Sequence, residues 1–210
     1  PGGEKAVLEP ARMALSHLAE ALGTEEALER AGALMQTERA RTLLNIRDER
    51  NFSPMTSSCG RLFDAVSAIL GVRSEITYEG QAACELEALC ARDVAGRYDF
   101  ELECGRISTV PIIRALCHDL DAAVPPPIIA TRFHNTISAI IVRTCRRIRE
   151  ETGIGRVALS GGVMQNRTLL RRTVPALENH GFEILFQTRV PPNDGGICLG
   201  QAAVALARMG

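Results

Sequence analysis

The chain has 210 residues, of which 46% are hydrophobic and 23% are charged, so it can bury one sizeable core or two small ones. Its net charge of −1 and its pI of about 6.5 make nucleic acid and an anionic membrane surface unexpected partners. Because we find neither a leading signal segment nor an apolar run near the roughly 20 residues that span a bilayer, we expect a cytoplasmic protein.

Apolar residues at helical spacing predict a series of helices over the first part of the chain. The sequence begins Pro1-Gly2-Gly3 without an initiator Met, which we interpret as the cut end of a longer protein. A helix is predicted from Pro10, and Gly23 is typical of the residue that ends one. Further helices are predicted over 24–32 and 37–47.

Two later helices carry polar residues of interest. The helix over 60–71 has one apolar stripe, and Asp64 falls off that stripe, so periodicity alone predicts a solvent-facing acid. The next helix follows Tyr78-Glu79-Gly80 and runs to about residue 91. Gly80 at its start either allows a ligand to approach the backbone closely or simply caps and turns the chain.

The middle of the chain changes from helices to mixed structure. Alternating residues over 98–104, followed by a turn and a short run to residue 110, predict a small antiparallel strand pair. A helix follows from Pro111, and Pro125-Pro126-Pro127 predicts an extended connector. The longest helical pattern covers 128–151, and we expect His134 within it to be a packed residue.

The last third repeats a strand, a polar turn and a helix. Strands are predicted over 156–159 and 182–186, and glycine-rich turns follow them at 160–166 and 190–196. The small residues after 196 predict a close-packed terminal helix. Two such junctions are expected at one edge of a sheet, where α/β proteins bind ligands.

The first of these turns has the composition of a phosphate site. Gly161 and Gly162 allow a tight turn and close backbone approach to a ligand, while Gln165 and Asn166 offer side-chain amides from the first helical turn. The alternative is a glycine-containing strand-to-helix turn without a ligand. The second turn favours the nucleotide interpretation, because it places Asp194 where it can face the same ligand.

Cysteine and histidine spacing gives no local chelate. The seven cysteines form an odd set without a Cys-x-x-Cys pair, so we expect neither a disulfide framework nor a zinc ribbon. We interpret most of them, Cys198 included, as small buried residues. The four histidines are at least 16 positions apart, so no two share a helical face.

Four motifs follow one another along the chain: PGGEKAVLEPARMAL at the start, TSSCGRLFDAVSAILGV at 56–72, YEGQAACELEAL at 78–89, and ALSGGVMQNRTLL…GFEILFQTRVPPNDGGICLGQAAVA near the end. In this order they resemble the C-terminus of the hydrogenase maturation carbamoyltransferase HypF, within its Kae1-like domain. The resemblance runs from Pro1 to near Gly210. It implies a helix-rich α/β chain that forms part of a sugar kinase/Hsp70/actin-like ATPase fold, truncated on its N-terminal side, with 1–97 mainly helical and 98–210 mixed and ending in a βαβα unit.

The resemblance also implies roles for particular residues. It places Asp64 against ribose and Gly80 where related proteins contact the nucleoside, beside the contacts from Gly161, Gly162 and Asn166. Asp194 matches an aspartate that holds a divalent metal, zinc or iron, together with a His-x-x-x-His pair that is missing here. The metal site of this chain is therefore expected to be incomplete.

The implied reaction uses carbamoyl phosphate and ATP to form a carbamoyl-adenylate, and passes the carbamoyl group to a C-terminal cysteine of the partner HypE on the way to the cyanide ligands of [NiFe] hydrogenase. No residue of this chain is then the nucleophile, and we expect this chain to be inactive alone. Two alternatives remain, a tRNA threonylcarbamoyl transferase-like protein and a nucleotide-binding module without chemistry. The near-neutral charge disfavours the first.

Overall fold

A computed structural model of the protein describes residues 1–103 and 105–209. The chain forms two compact units, the first covering residues 1–136 and the second beginning at Ile137.

The first unit is built mainly from helices. They are α1 (Lys5–Leu8), α2 (Pro10–Leu22), α3 (Thr24–Ala31), α4 (Thr37–Asn45), α5 (Cys59–Ile69) and α6 (Gln81–Leu89). The apolar residues of α2, such as the fully buried Leu15 and Leu18, pack against α5, which contributes Phe63 and Val66 to the same core. α6 packs on α5 in turn, so α5 is covered from two directions.

A short hairpin and a helix complete this part of the chain. Strands β1 (Glu101–Glu103) and β2 (Arg106–Ser108) pair antiparallel, as the sequence predicts, and Leu102 lies opposite Ile107. Cys104, the last residue of the predicted first strand, lies outside the described residues. Helix α7 (Val110–Asp121) carries Pro111 in its first turn, where a proline costs no hydrogen bond.

The long helix α8 (Pro126–Thr152) begins in the first unit and continues into the second. It starts at Pro126, so the prediction of an extended connector through Pro127 is wrong. Prolines suit the first helical turn, because the backbone N–H that they lack has no partner there. His134 is fully buried and contacts the Phe63 ring edge-on at 5.2 Å between centroids, which confirms a packed histidine.

The second unit contains a parallel strand pair. Its further elements are β3 (Arg156–Leu159), a 3-10 turn (Gly162–Gln165), α9 (Arg167–Asn179), β4 (Glu183–Phe186), a second 3-10 turn (Asp194–Gly196) and α10 (Ile197–Met209). β3 and β4 pair in parallel with Leu159 opposite Phe186. One side of the pair packs with α8 and α9 in a cluster around Leu159, Leu177 and Phe182.

Two predictions about burial are wrong. No residue of α10 is buried, although its small residues suggest close packing. Among the described cysteines only Cys117 is buried, whereas Cys84 and Cys198 are exposed. In the part of the chain that the structure describes, no helix is long and apolar enough to cross a membrane.

Candidate functional site

The two polar turns of the second unit meet beyond the carboxyl ends of β3 and β4. The Gly161 N–H donates to the Pro192 carbonyl at 2.8 Å. The Gln187 side-chain amide, which follows β4, donates to Ser160 Oγ at 3.0 Å and makes a second link between the segments that follow the two strands. Because these strands are parallel, both turns lie at one edge of the sheet, as the sequence predicts. We call the two turns, 160–166 and 190–196, the strand-edge site.

The two glycines of the first turn differ in what they require. Gly161 has φ +98°, a conformation that side chains disfavour, whereas Gly162 does not. A Cβ at either position would meet nothing within 4 Å. Gly161 is therefore explained by its backbone, and its N–H, already donated to Pro192, is not offered to a phosphate in this arrangement. Nothing in the described structure requires a glycine at 162.

Asn166 has a structural task that the sequence argument missed. It lies just before α9 and caps it, since its Oδ1 accepts the Leu169 N–H at 2.7 Å. Asn166 is only 8% exposed. Asn166 therefore precedes the first helical turn, and its side-chain oxygen is engaged with the helix.

Asp194 begins the second 3-10 turn and is exposed. Asn193 precedes it and accepts the Gly195 N–H at 3.1 Å. A Cβ at Gly196 would lie 2.8 Å from the Pro191 carbonyl oxygen, so a glycine is required there by packing. Sequence reasoning assigned no task to Asn193, although an asparagine directly before a helical turn is a recognisable cap.

The metal expectation for Asp194 can be compared with its surroundings. Among the described residues no three His, Cys, Asp or Glu side chains are grouped so that they could hold a metal ion. Protein metal sites usually take three or four such ligands. The residues around Asp194 therefore do not fit a complete metal site, and any metal there needs further ligands.

Asp64 lies in the first unit and is 1% exposed, so the solvent-facing interpretation is wrong. Its position off the apolar stripe is still covered, because α5 packs against both α2 and α6. Arg61 Nη1 lies 2.9 Å from Asp64 Oδ2, although neither atom makes a hydrogen bond of acceptable geometry. Burial raises the pKa of Asp64 to about 6; Arg61 opposes this rise, and the negative charge of Glu79 adds to it.

Gly80 follows Glu79 and adopts a left-handed conformation, with φ +82°, directly before α6. A Cβ there would meet nothing within 4 Å, so the turn explains the glycine without a ligand. This turn starts the helix that packs against α5, the helix that carries Asp64 and Arg61. We call Asp64, Arg61 and Gly80 the α5–α6 site.

A cavity of about 970 Å³ in the first unit gives a ligand access to Arg61. It is also lined by Thr56, Thr109 and His17, and the last two lie 3.3 Å apart between Oγ1 and Nδ1. Burial lowers the pKa of His17, which favours its neutral form. Sequence reasoning missed Arg61, although its position three residues before Asp64 on a helix predicts that the two side chains are neighbours.

Comparisons with known proteins find relatives that match nearly the whole chain. A family model described as "Carbamoyltransferase, Kae1-like Domain, second subdomain" matches residues 1–201. Carbamoyltransferase HypF of Rhodobacter capsulatus is 37% identical over 209 residues, which cover 99% of this chain and 27% of the relative. Carbamoyltransferase HypF of a Synechocystis strain is 38% identical over 159 residues, covering 73% of this chain and 20% of the relative.

Solved structures agree with the sequence relatives. The crystal structure of full-length HypF in the phosphate- and nucleotide-bound form has a TM-score of 0.87 and 38% identity, covering 98% of this chain and 27% of that one. The crystal structure of HypF from T. kodakarensis has a TM-score of 0.85 and 25% identity, covering 97% and 28%. The chain thus spans less than a third of these relatives, and the helix-rich α/β fold expected of the Kae1-like domain is confirmed.

Proposed function

Because the chain belongs to the HypF carbamoyltransferase family, as the second subdomain of its Kae1-like domain, we propose that it supplies part of the site at which a longer parent handles a carbamoyl-adenylate. The observation that supports this most directly is the joining of the two polar turns at the carboxyl edge of the parallel strands. That edge is where α/β proteins bind nucleotides.

In the proposed reaction carbamoyl phosphate is hydrolysed to carbamate and inorganic phosphate. A carbamate oxygen then attacks the α-phosphorus of ATP, so that the mixed anhydride carbamoyl-adenylate forms and pyrophosphate leaves. A thiolate from the C-terminal cysteine of a HypE-like partner then attacks the carbamoyl carbon. A carbon–sulfur bond forms, the bond between that carbon and the AMP phosphate oxygen breaks, and AMP leaves with the electron pair. The product is the carbamoylated partner, on the route to hydrogenase cyanide ligands.

Within this proposal the chain binds and orients the nucleotide, and supplies no nucleophile. The buried carboxyl of Asp64 accepts hydrogen bonds from ribose hydroxyl groups, and Gly80 contacts the nucleoside. Gly162 allows the phosphate to approach the backbone at the strand-edge site. Positioning of this kind lowers the barrier because the thiolate meets an acyl carbon that is already oriented.

A divalent metal would supply charge neutralisation at the phosphate when bound. Asp194 is the residue of this chain that we propose as one of its ligands, through a carboxylate that is exposed.

The test is a pair of substitutions, one before β3 and one in the turn that follows it. Gly162→Val should weaken nucleotide affinity in the parent while leaving the fold intact, because a Cβ at 162 meets no protein atom and φ is not positive. Loss of one hydrogen bond costs about 0.5–1.5 kcal/mol, and a side chain at a close ligand approach should cost more. Calorimetric titration with ATP measures the affinity.

Gly155→Val is the matched control, since Gly155 precedes β3 and also has open space around a Cβ and no positive φ. It should leave affinity unchanged. Equal affinity of the Gly162 variant and the parent would show that the nucleotide does not approach the backbone closely at this glycine, and would contradict the phosphate role proposed for the strand-edge site. A parent that binds ATP yet carbamoylates no thiol peptide would instead be a regulatory module.

A further inference from the structure

The cavity of about 970 Å³ in the first unit is lined by one side of α2 and by the β1–β2 hairpin. The α2 residues that line it recur at positions i, i+3, i+4 and i+7, which is one side of a helix: Met13, Ser16, His17 and Glu20. Asp64 does not line it, so this space is distinct from the ribose position proposed above. A cavity of this volume can hold a drug-sized ligand or a short peptide segment.

The hairpin turns a polar face toward this cavity. In the strand register Glu101 lies opposite Ser108 and Glu103 lies opposite Arg106, so the four side chains share one face. All four line the cavity. Among the described residues, neither Glu101 nor Glu103 forms an ion pair with Arg106 or with any other cation. Two carboxylates are therefore available to a ligand.

The charges that line the cavity favour a cation over a phosphate. The lining side chains include four carboxylates and three guanidiniums. Arg47 lies 3.7 Å from Glu20 and 3.2 Å from Asp48, so its charge is already shared between two acids. Arg61 is in contact with Asp64 at 2.9 Å. The hairpin carboxylates keep their negative charge without a compensating contact, and like charge would repel an anionic ligand.

An organic cation matches the cavity better than a metal ion does. In the part of the chain that the structure describes, no three His, Cys, Asp or Glu side chains are grouped so that they could hold a metal. Apolar side chains line the cavity beside the acids, among them Met13 and Val110. Arginine and lysine combine a charged head with an aliphatic stem, and can therefore use both kinds of surface.

Arg61 supplies a second feature that calls for a ligand. Its Nη1 is buried and makes no hydrogen bond to any described residue, although the side chain lines the cavity. A buried donor of this kind is normally satisfied. The carbonyl oxygen of a peptide backbone can accept from it, whereas a simple amine offers no acceptor.

We propose that this cavity binds an extended segment of a partner protein that carries a basic side chain. The charged head contacts the carboxylates of Glu101 and Glu103, and its aliphatic stem packs on Met13 and Val110. A backbone carbonyl of the segment accepts the hydrogen bond from Arg61. The proposal does not depend on the transfer reaction.

Two synthetic peptides test the cation preference on the purified chain. One is acetyl-Ala-Val-Arg-Val-Ala-amide, and the other has citrulline, an uncharged isostere, in place of arginine. In calorimetric titrations the arginine peptide should bind about tenfold more tightly, because charge-assisted hydrogen bonds are stronger than neutral ones. The preference should shrink in about 0.5 M NaCl, since salt screens the contacts of exposed carboxylates.

A double substitution locates the contact. Glu101→Gln together with Glu103→Gln should abolish the preference for arginine without altering the circular dichroism, because both side chains are exposed. Glu25→Gln together with Glu29→Gln is the matched control. These two acids are exposed on α3 and do not line the cavity, and their replacement changes the net charge by the same amount. The control should keep the full preference.

Four outcomes would overturn the proposal. They are equal affinity for the two peptides, no binding of either peptide at millimolar concentration, and an equal loss of preference in both double variants, which would show a general charge effect. The fourth is spermidine binding as tightly as the arginine peptide, which would make a small organic cation the occupant. None of these readouts uses nucleotide or transfer activity, so failure here is distinguishable from failure of the proposed function.

Discussion

At the scale of single residues, the buried carboxyl of Asp64 is the clearest electrostatic feature of the first unit. Its nearest charged neighbour is Arg61, and the two are in ion-pair contact without a well-formed hydrogen bond. Burial disfavours the charged carboxylate more than the guanidinium compensates, which is why the pKa rises to about 6. A ligand hydroxyl that donates a hydrogen bond to Asp64 Oδ2 would satisfy this buried oxygen, which lacks a hydrogen-bond partner.

The raised pKa predicts how stability depends on pH. The stabilisation linked to protonated Asp64 is fully present below its ordinary pKa of 3.8 and is lost as pH rises through about 6. A rise of this size corresponds to at most roughly 3 kcal/mol. Asp64→Asn removes the titrating group. As pH rises from 3.8 to about 6, the variant should therefore gain stability relative to the unsubstituted chain. Urea unfolding of both proteins across this range measures the difference.

Glu85→Gln is the control, with the opposite sign. The hydrogen bond from Arg73 lowers the pKa of Glu85, so its contribution is present at higher pH and is lost as pH falls through the lowered pKa. A stability difference for Asp64→Asn that does not change with pH would show that the carboxyl is not the buried, poorly compensated group described above.

Residues off the regular pattern are the ones that sequence reasoning placed least well. The sequence predicts a solvent-exposed Asp64 because the apolar periodicity of α5 describes the burial of one helix face only. The burial of Asp64 depends on α6, which packs against α5 in addition to α2. The glycines were recognised, yet the distinction between Gly161 and Gly162 depends on φ, which the sequence does not display. The motifs identify the candidate residues. The structure is needed to tell a glycine required by a turn from one that allows a ligand to approach.

At the scale of secondary-structure elements, α9 depends on Asn166 for its start. The cap satisfies the Leu169 N–H, and losing a cap typically costs about 1 kcal/mol. We expect Asn166→Ala to destabilise the chain by about that amount. Asn166→Asp keeps an acceptor oxygen and should retain most of the stability. Denaturant titration compares the two variants.

The pair also separates the two tasks proposed for this residue. If Asn166 contacts nucleotide through its amide, Asn166→Asp should weaken nucleotide binding while the helix stays capped. Retained stability with unchanged nucleotide affinity would leave Asn166 with the helix alone and contradict the binding assignment.

The elements themselves follow closely from local chemistry. Periodicity and the glycine at the helix end predict α2, and alternation predicts the hairpin of β1 and β2. The predicted start of α8 is wrong because a run of prolines is compatible both with an extended connector and with a first helical turn. The burial of α10 was misjudged for another reason: an apolar pattern predicts that a helix is covered, but the described chain holds no cover for it.

At the scale of the whole molecule, the candidate residues are divided between the two units, with Asp64 and Gly80 in the first and Gly161, Gly162 and Asp194 in the second. The division follows the chain itself, since the motifs that carry them lie on either side of Ile137. Neither unit by itself contains all the residues that the family resemblance assigns to a nucleotide and a metal.

The last prediction concerns metal content. Because catalytic metals usually take three protein ligands and the described residues provide Asp194 without a surrounding cluster, the isolated chain should hold no stoichiometric zinc or iron after dialysis. It should bind adenine nucleotides weakly and transfer no carbamoyl group, since a site of this kind must also exclude water. Elemental analysis of the dialysed chain and of Asp194→Asn, which should give the same result, is the measurement. One tightly held metal ion per chain would mean that a histidine or cysteine interpreted here as structural is a ligand, and the assignment of an incomplete site would have to be abandoned.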